Sequence, residues 1–140
     1  MRLVYSLIAF IAFLATPAFA QNNMPMPPCD GNITVVRVSE IKPGGTLEGL
    51  QASITAQVAW YRATGITDNQ IVISRVILRD KTTGAHSYSD SEVIIYHLRP
   101  PSADRTPNHG DAGWNAFIKL YNDNAVLKNE YVTCLPKLMQ

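Results

Sequence analysis

Three polar side chains stand inside otherwise apolar, β-branched stretches: Arg37 in Ile33–Val38, Arg75 in Gln70–Arg79 and His97 next to Val93-Ile94-Ile95-Tyr96. Set among aliphatics, such groups suit a pocket that fixes an anionic or carbonyl-bearing ligand. A guanidinium supplies donors, and an imidazole serves as a general acid or base near neutral pH. The competing reading is structural: charges near strand ends or at a subunit interface, paired with Glu40, Asp90 or Glu92. Residue types alone do not locate a site, so the structural reading is the default.

His86, His97 and His109 with Asp111 form no recognised ligand spacing, so no metal or other cofactor is expected. His109-Gly110-Asp111 reads instead as the cap of a helix, with Asp111 near its positive end. Among the aromatics, Tyr61, Trp114 and Tyr121 fall at core spacing. Trp60 lies off the stripe of its helix and is the candidate for a dimer contact or a cleft mouth. There is no G-x-S-x-G nucleophile elbow. Asn32-Ile33-Thr34 matches a glycosylation sequon, a chance match at a strand start.

The chain has two cysteines, Cys29 and Cys134, far apart and without C-x-x-C spacing. An even count in an exported chain reads as a disulfide, against the alternative of two unrelated thiols. Closing a loop of roughly 100 residues contributes up to about 4–5 kcal/mol.

Export is indicated by the first 20 residues. A basic start (Met1-Arg2), an apolar run (Leu7–Leu14) and Ala18-Phe19-Ala20 before Gln21 form the three parts of a cleavable signal peptide. Cleavage leaves Gln21–Gln140, and loss of Arg2 takes the formal charge from +1 to zero. A neutral domain lacks the basic footprint of nucleic-acid binding. No second apolar run reaches the ~20 residues of a membrane span. The expected organisation is a signal peptide over 1–20, an extended Pro-rich leader over 21–31, one domain over 32–136 and a short tail over 137–140.

The elements that must position these side chains follow from periodicity. Ile33–Val38 is a strand stopped by Lys42-Pro43-Gly44-Gly45. Thr46 is a helix N-cap, with Glu48 in the first turn. Leu47, Leu50, Ile54, Val58 and Tyr61 form the apolar stripe, and Gly65 is the stop. Gln70–Arg79 and Tyr88–Leu98 form a hairpin around Asp80–Gly84, with Gly84 suited to positive φ. A three-residue bulged loop places Arg75 and His97 on one face; a two- or four-residue loop separates them. After a loop over 102–110, Trp114, Phe117, Ile118, Tyr121 and Ala125 mark a second helix, and Tyr131–Leu135 a last strand.

The order β-α-β-β-α-β is that of the ferredoxin-like α+β sandwich, a four-stranded antiparallel sheet with both helices on one face. In it the first and last strands are antiparallel neighbours, which brings Cys29 toward Cys134. Strands two and three are apolar in both alternating sets, where a solvated face would alternate with polar residues. Two monomers packed sheet to sheet would cover the second face.

With that element order, those two-sided strands and the segment Gln57–Gly65, the chain resembles the dimeric α+β barrel superfamily over about Ile33–Leu135. That superfamily includes antibiotic-biosynthesis-type monooxygenases, stress-responsive barrel proteins and small-molecule-degrading proteins. The resemblance implies a homodimer with a small-molecule cleft between sheet and helices in each monomer. It brings no diagnostic catalytic motif, and no catalytic residue is assigned. The expectation is an exported protein that binds a small apolar or anionic molecule, with Arg37, Arg75, His97 and Trp60 as candidate ligand contacts. The alternatives are a cofactor-independent oxygenase or isomerase of the same superfamily, and a periplasmic protein-interaction module.

Overall fold

A computed structural model describes residues 26–101 and 109–136. The expected signal peptide, the first part of the leader, most of the loop after Pro101 and the tail lie outside the described residues. The chain runs β1 (Asn32–Ile41), α1 (Leu47–Ala63), β2 (Gln70–Arg79), β3 (His86–Leu98), α2 (Ala112–Asn124) and β4 (Ala125–Leu135). The sheet order is β2-β3-β1-β4 with every neighbouring pair antiparallel. This is the ferredoxin-like α+β fold.

Local chemistry sets the helix ends. Thr46 caps α1, its hydroxyl accepting from the Gly49 amide at 2.9 Å. Gly65, at φ +83°, turns the chain out of α1 while the Ile66 amide returns to the Tyr61 carbonyl, so that Ile66 packs back into the core. Asp111 caps α2, accepting from the Trp114 amide at 2.7 Å. The other end of α2 is clamped to the start of α1. Asn124 Oδ1 accepts from the Thr46 amide, and its backbone carbonyl accepts from the Lys42 amide. A Cβ on Gly49 would lie 2.0 Å from Asn124 Oδ1, so this approach requires glycine.

The core has two parts. Leu50 and Ile54 of α1 pack on Val93 and Ile95 of β3 and on Ala125, while Trp60, Tyr61, Ile66 and Phe117 fill the other end. The buried face of α1 includes Ser53 and Trp60, displaced from the Leu47-Val58 line because the helix serves two neighbours, the sheet below and α2 beside it. Ala125 is not the last residue of a helical stripe. It opens β4, which begins six residues earlier than Tyr131, opposite Ile41. The helix passes into the strand with no intervening turn, so no Gly or Pro marks the boundary.

Hairpin register is not uniform. Arg79 faces His86 across a turn in which Asp80 Oδ1 accepts from the Thr82 and Thr83 amides and Gly84 takes φ +75°. Arg75 lies opposite Val93 but Ile77 lies opposite Tyr88, so β3 bulges between these points, with Ser89 Oγ accepting from the Glu92 amide.

Cys29 and Cys134 are joined in a disulfide, with Cα atoms 5.7 Å apart. It ties the chain just before β1 to the end of β4, the neighbours that the topology demands. The sheet face away from the helices carries Val36 and Val38 of β1, Ile94 and Tyr96 of β3, Val72 of β2 and Tyr131 of β4. Val72 is 40% and Tyr131 52% exposed there. Among the described residues, no helix is long and apolar enough to cross a membrane.

Candidate functional site

Because α2 leans on α1 and reaches the sheet near its C-terminal end, where Tyr121 meets Ser39, a cleft of ≈ 310 Å³ opens beneath it. Arg37 and Leu127 contribute to its floor along with Ile95; Ser53, Ile54 and Gln57 of α1 form one wall. Trp114, Phe117, Ile118 and Tyr121 of α2 form the other. The strand register explains the floor: Arg37 pairs with Ile95 on β3, and both point to the helices. Arg37 is the one charged side chain among the lining residues described.

Arg37 is held from the other side by β4. Its Nε donates to Glu130 Oε2 at 2.6 Å, across a cross-strand pair. One of five guanidinium N–H groups is used there, which leaves the terminal donors for the cleft. Nearby, Tyr121 Oη and Ser39 Oγ share a hydrogen bond of 2.7 Å, and Ser39 is fully buried.

Beside this floor, on the same side of the sheet, lies a partly buried polar chain. Arg62 donates to Asn69 Oδ1 and, at 2.8 Å, to the Asn69 carbonyl, which leaves the Asn69 amide nitrogen facing His97 Nε2 at 3.1 Å. An amide nitrogen only donates, so Nε2 accepts and the imidazole proton sits on Nδ1. Burial, reinforced by the Arg37 charge, holds His97 at about 4, neutral at pH 7. The Tyr61 ring lies 5.3 Å from the His97 ring. Burial pushes the Tyr61 phenol up, against a hydrogen bond from Gln57 and the Arg37 charge, so it too is neutral. Arg37, Gln57, Tyr61 and His97 thus form one polar group within apolar surroundings.

The structure therefore brings Arg37 and His97 together and leaves the other two candidates elsewhere. Arg75 shares the helix-facing side with His97, not because of the loop length but because the β3 bulge resets the alternation. It sits four residues along the sheet, about 13 Å away. Its guanidinium lies 4.0 Å from the centroid of the Tyr88 ring. The expected partners are also replaced: Arg37 pairs with Glu130, while Glu40 pairs with Lys128. Trp60 is neither at a cleft mouth nor on the surface. It is 6% exposed, packed against Tyr61, Trp114 and Phe117, and its indole N–H donates to Asp111 at 3.0 Å.

Sequence reasoning missed Glu130, Gln57, Asn69 and Arg62. The i, i+4 spacing of Gln57 and Tyr61 was available as a signal. The Glu130 pairing was not, since it depends on the irregularity of β4 opposite Val38 and Ser39. Among the described residues, no group of three or more His, Cys, Asp or Glu could hold a metal ion. His109 packs at a tilt on Trp114, with ring centroids 3.8 Å apart, and His86 is at the hairpin.

No protein-family model and no curated protein matches the chain. Among solved structures, SnoaB, a cofactor-independent oxygenase from Streptomyces nogalater, aligns over 79% of this chain and 99% of its own, at 12% identity and TM-score 0.45. A phage SAM lyase in complex with S-methyl-5′-thioadenosine aligns over 79% of this chain and 95% of its own, at 13% identity and TM-score 0.31. Likenesses this loose say nothing of chemistry. The fold stands on the strand order and register themselves.

Proposed function

We propose that the protein is an exported binder of a small, largely apolar molecule, held beneath α2 with its polar end on Arg37, and that it works as a homodimer of the dimeric α+β barrel type. The supporting observation is the cleft of ≈ 310 Å³, whose apolar walls enclose one guanidinium. Its two walls come from different helices, so a ligand would bridge α1 and α2. Trp114 lines the cleft, and Trp60 is the other of two tryptophans, so intrinsic fluorescence reports occupancy. Titration of the purified protein with naphthalene-sized aromatics is expected to give saturable quenching. Arg37→Met is expected to weaken binding of a carbonyl-bearing probe by about 10-fold or more, the value of a hydrogen bond to a charged group. Equal affinity in Arg37→Met, or quenching that never saturates, would remove this reading.

The polar group beside the floor favours one second reading, a cofactor-independent oxygenase or isomerase acting in the same cleft. Neutral Tyr61 would then act as a proton donor to a developing oxyanion, reaching the cleft through Gln57, which lines it, while His97 stays neutral at pH 7. Turnover by metal-free protein, lost in Tyr61→Phe with binding retained, distinguishes it from simple binding.

A further inference from the structure

We infer that Glu130 sets the charge of the ligand: by neutralising Arg37 from behind, it makes the cleft select an uncharged hydrogen-bond acceptor, such as a ketone or amide, over a carboxylate. The inference rests on the cleft being the binding site and deepens that reading. An arginine in an apolar cleft ordinarily suggests an anionic partner. Here the guanidinium already holds a carboxylate at 2.6 Å, on the same face of the sheet. At the terminal N–H groups of Arg37 a ligand would still feel the guanidinium more closely than Glu130, but the Glu130 charge offsets part of the attraction. An incoming carboxylate would therefore give up its hydration for a reduced attraction. A neutral carbonyl loses far less water and needs only a donor, and the terminal N–H groups of Arg37 supply it.

The rest of the surroundings agree. Gln57 and Ser53 line the same cleft as neutral polar groups, and Arg37 is the one charge among the lining residues described. Beside them, the hydrogen bond from Asn69 leaves His97 a neutral acceptor at Nε2, so the imidazole adds no positive charge facing the cleft.

A matched pair of probes tests this on the folded, disulfide-bonded protein: 2-acetylnaphthalene, which is neutral, and 2-naphthoate, the same body with a carboxylate. Calorimetric titration at pH 7 is expected to show the ketone binding at least tenfold tighter. Glu130→Gln keeps an acceptor for Arg37 Nε and removes the charge, and the ketone-to-carboxylate preference is expected to fall at least tenfold. Glu130→Ala, should the glutamine variant fold poorly, is expected to move it the same way. Equal or tighter binding of naphthoate to the wild type, or a preference that Glu130→Gln leaves in place, overturns the charge assignment while the cleft stands. If neither probe binds, the cleft reading fails and takes the assignment with it.

Discussion

His97 shows how a donor–acceptor chain can fix a protonation state. Arg62 has only donors to give, Asn69 turns its oxygen to it, and the remaining amide hydrogen needs an acceptor. Protonated His97 would set one donor against another, beside the Arg37 charge. The sign of the pH dependence follows. The folded-state value near 4 lies below the ordinary 6.5, so the unfolded chain takes up the proton first as pH falls. The contribution is complete above pH 6.5 and is lost between there and about 4. Denaturant midpoints are expected to fall across that window, with a slope of up to about 1.4 kcal/mol per pH unit. Asn69→Asp offers an acceptor to a charged imidazole and is expected to raise the His97 titration, as read by its ring proton shifts. A His97 titration near 6.5 in the wild type would contradict the geometry. Asp111, whose carboxylate is held below its usual range by the Trp114 amide and the Trp60 indole, has the ordinary acid dependence: its contribution is lost as pH falls through the carboxylate range.

The helices connect these groups to the fold, and here the chain was only partly readable. Thr46, Glu48, Gly65 and Asp111 announced their roles because caps depend on neighbours within one turn. The strand order also came through, since two helical stripes between four β-branched runs leave few topologies. What failed depended on tertiary geometry. Trp60 looked stray on a single-stripe helical wheel because that wheel ignores α2, against which Trp60 packs. Ala125 looked helical because its apolar character fits either period. Arg37 and His97 could be named but not joined, since joining them needs the β1–β3 register. The clamp between the helices can be tested directly. Gly49→Ala pushes a methyl group into Asn124, and is expected to cost about 1–3 kcal/mol, the range for overpacking. Asn124→Ala removes the obstructing amide, so the double variant is expected to be more stable than the sum of the two single changes implies. Additive losses would mean that the contact is not the cause. At the other end of α2, Asp111→Ala removes a cap and strands the indole N–H of Trp60, and is expected to lower the midpoint of thermal or denaturant unfolding.

Two features govern the molecule as a whole, the disulfide and the partly exposed apolar sheet face among the described residues. The disulfide joins residues 105 apart in sequence, so replacing both cysteines with serine is expected to remove up to about 4–5 kcal/mol through the unfolded chain. The sheet face carries the larger consequence. Its centre, Val36, Val38, Ile94 and Tyr96, is aliphatic and aromatic across the two middle strands, and Glu40 and Glu92 stand at one end of these strands. Tyr131 at 52% and Val72 at 40% exposure extend the apolar surface to both outer strands. An apolar centre with a polar rim is the layout of a subunit interface, and a twofold axis through Ile94 would make the patch its own complement. A dimer is therefore the expected state in sedimentation at micromolar concentration. Ile94→Lys would bring two ammonium groups together at the axis, and is expected to give a folded monomer with an unchanged far-ultraviolet spectrum. The cleft opens on the opposite side of the sheet, so that monomer should still quench on binding a neutral aromatic probe. If the wild type itself sediments as a monomer, two copies do not cover the face. The reading as a module that presents its sheet to a different protein would then displace the dimer, while the binding test on Arg37 keeps its force.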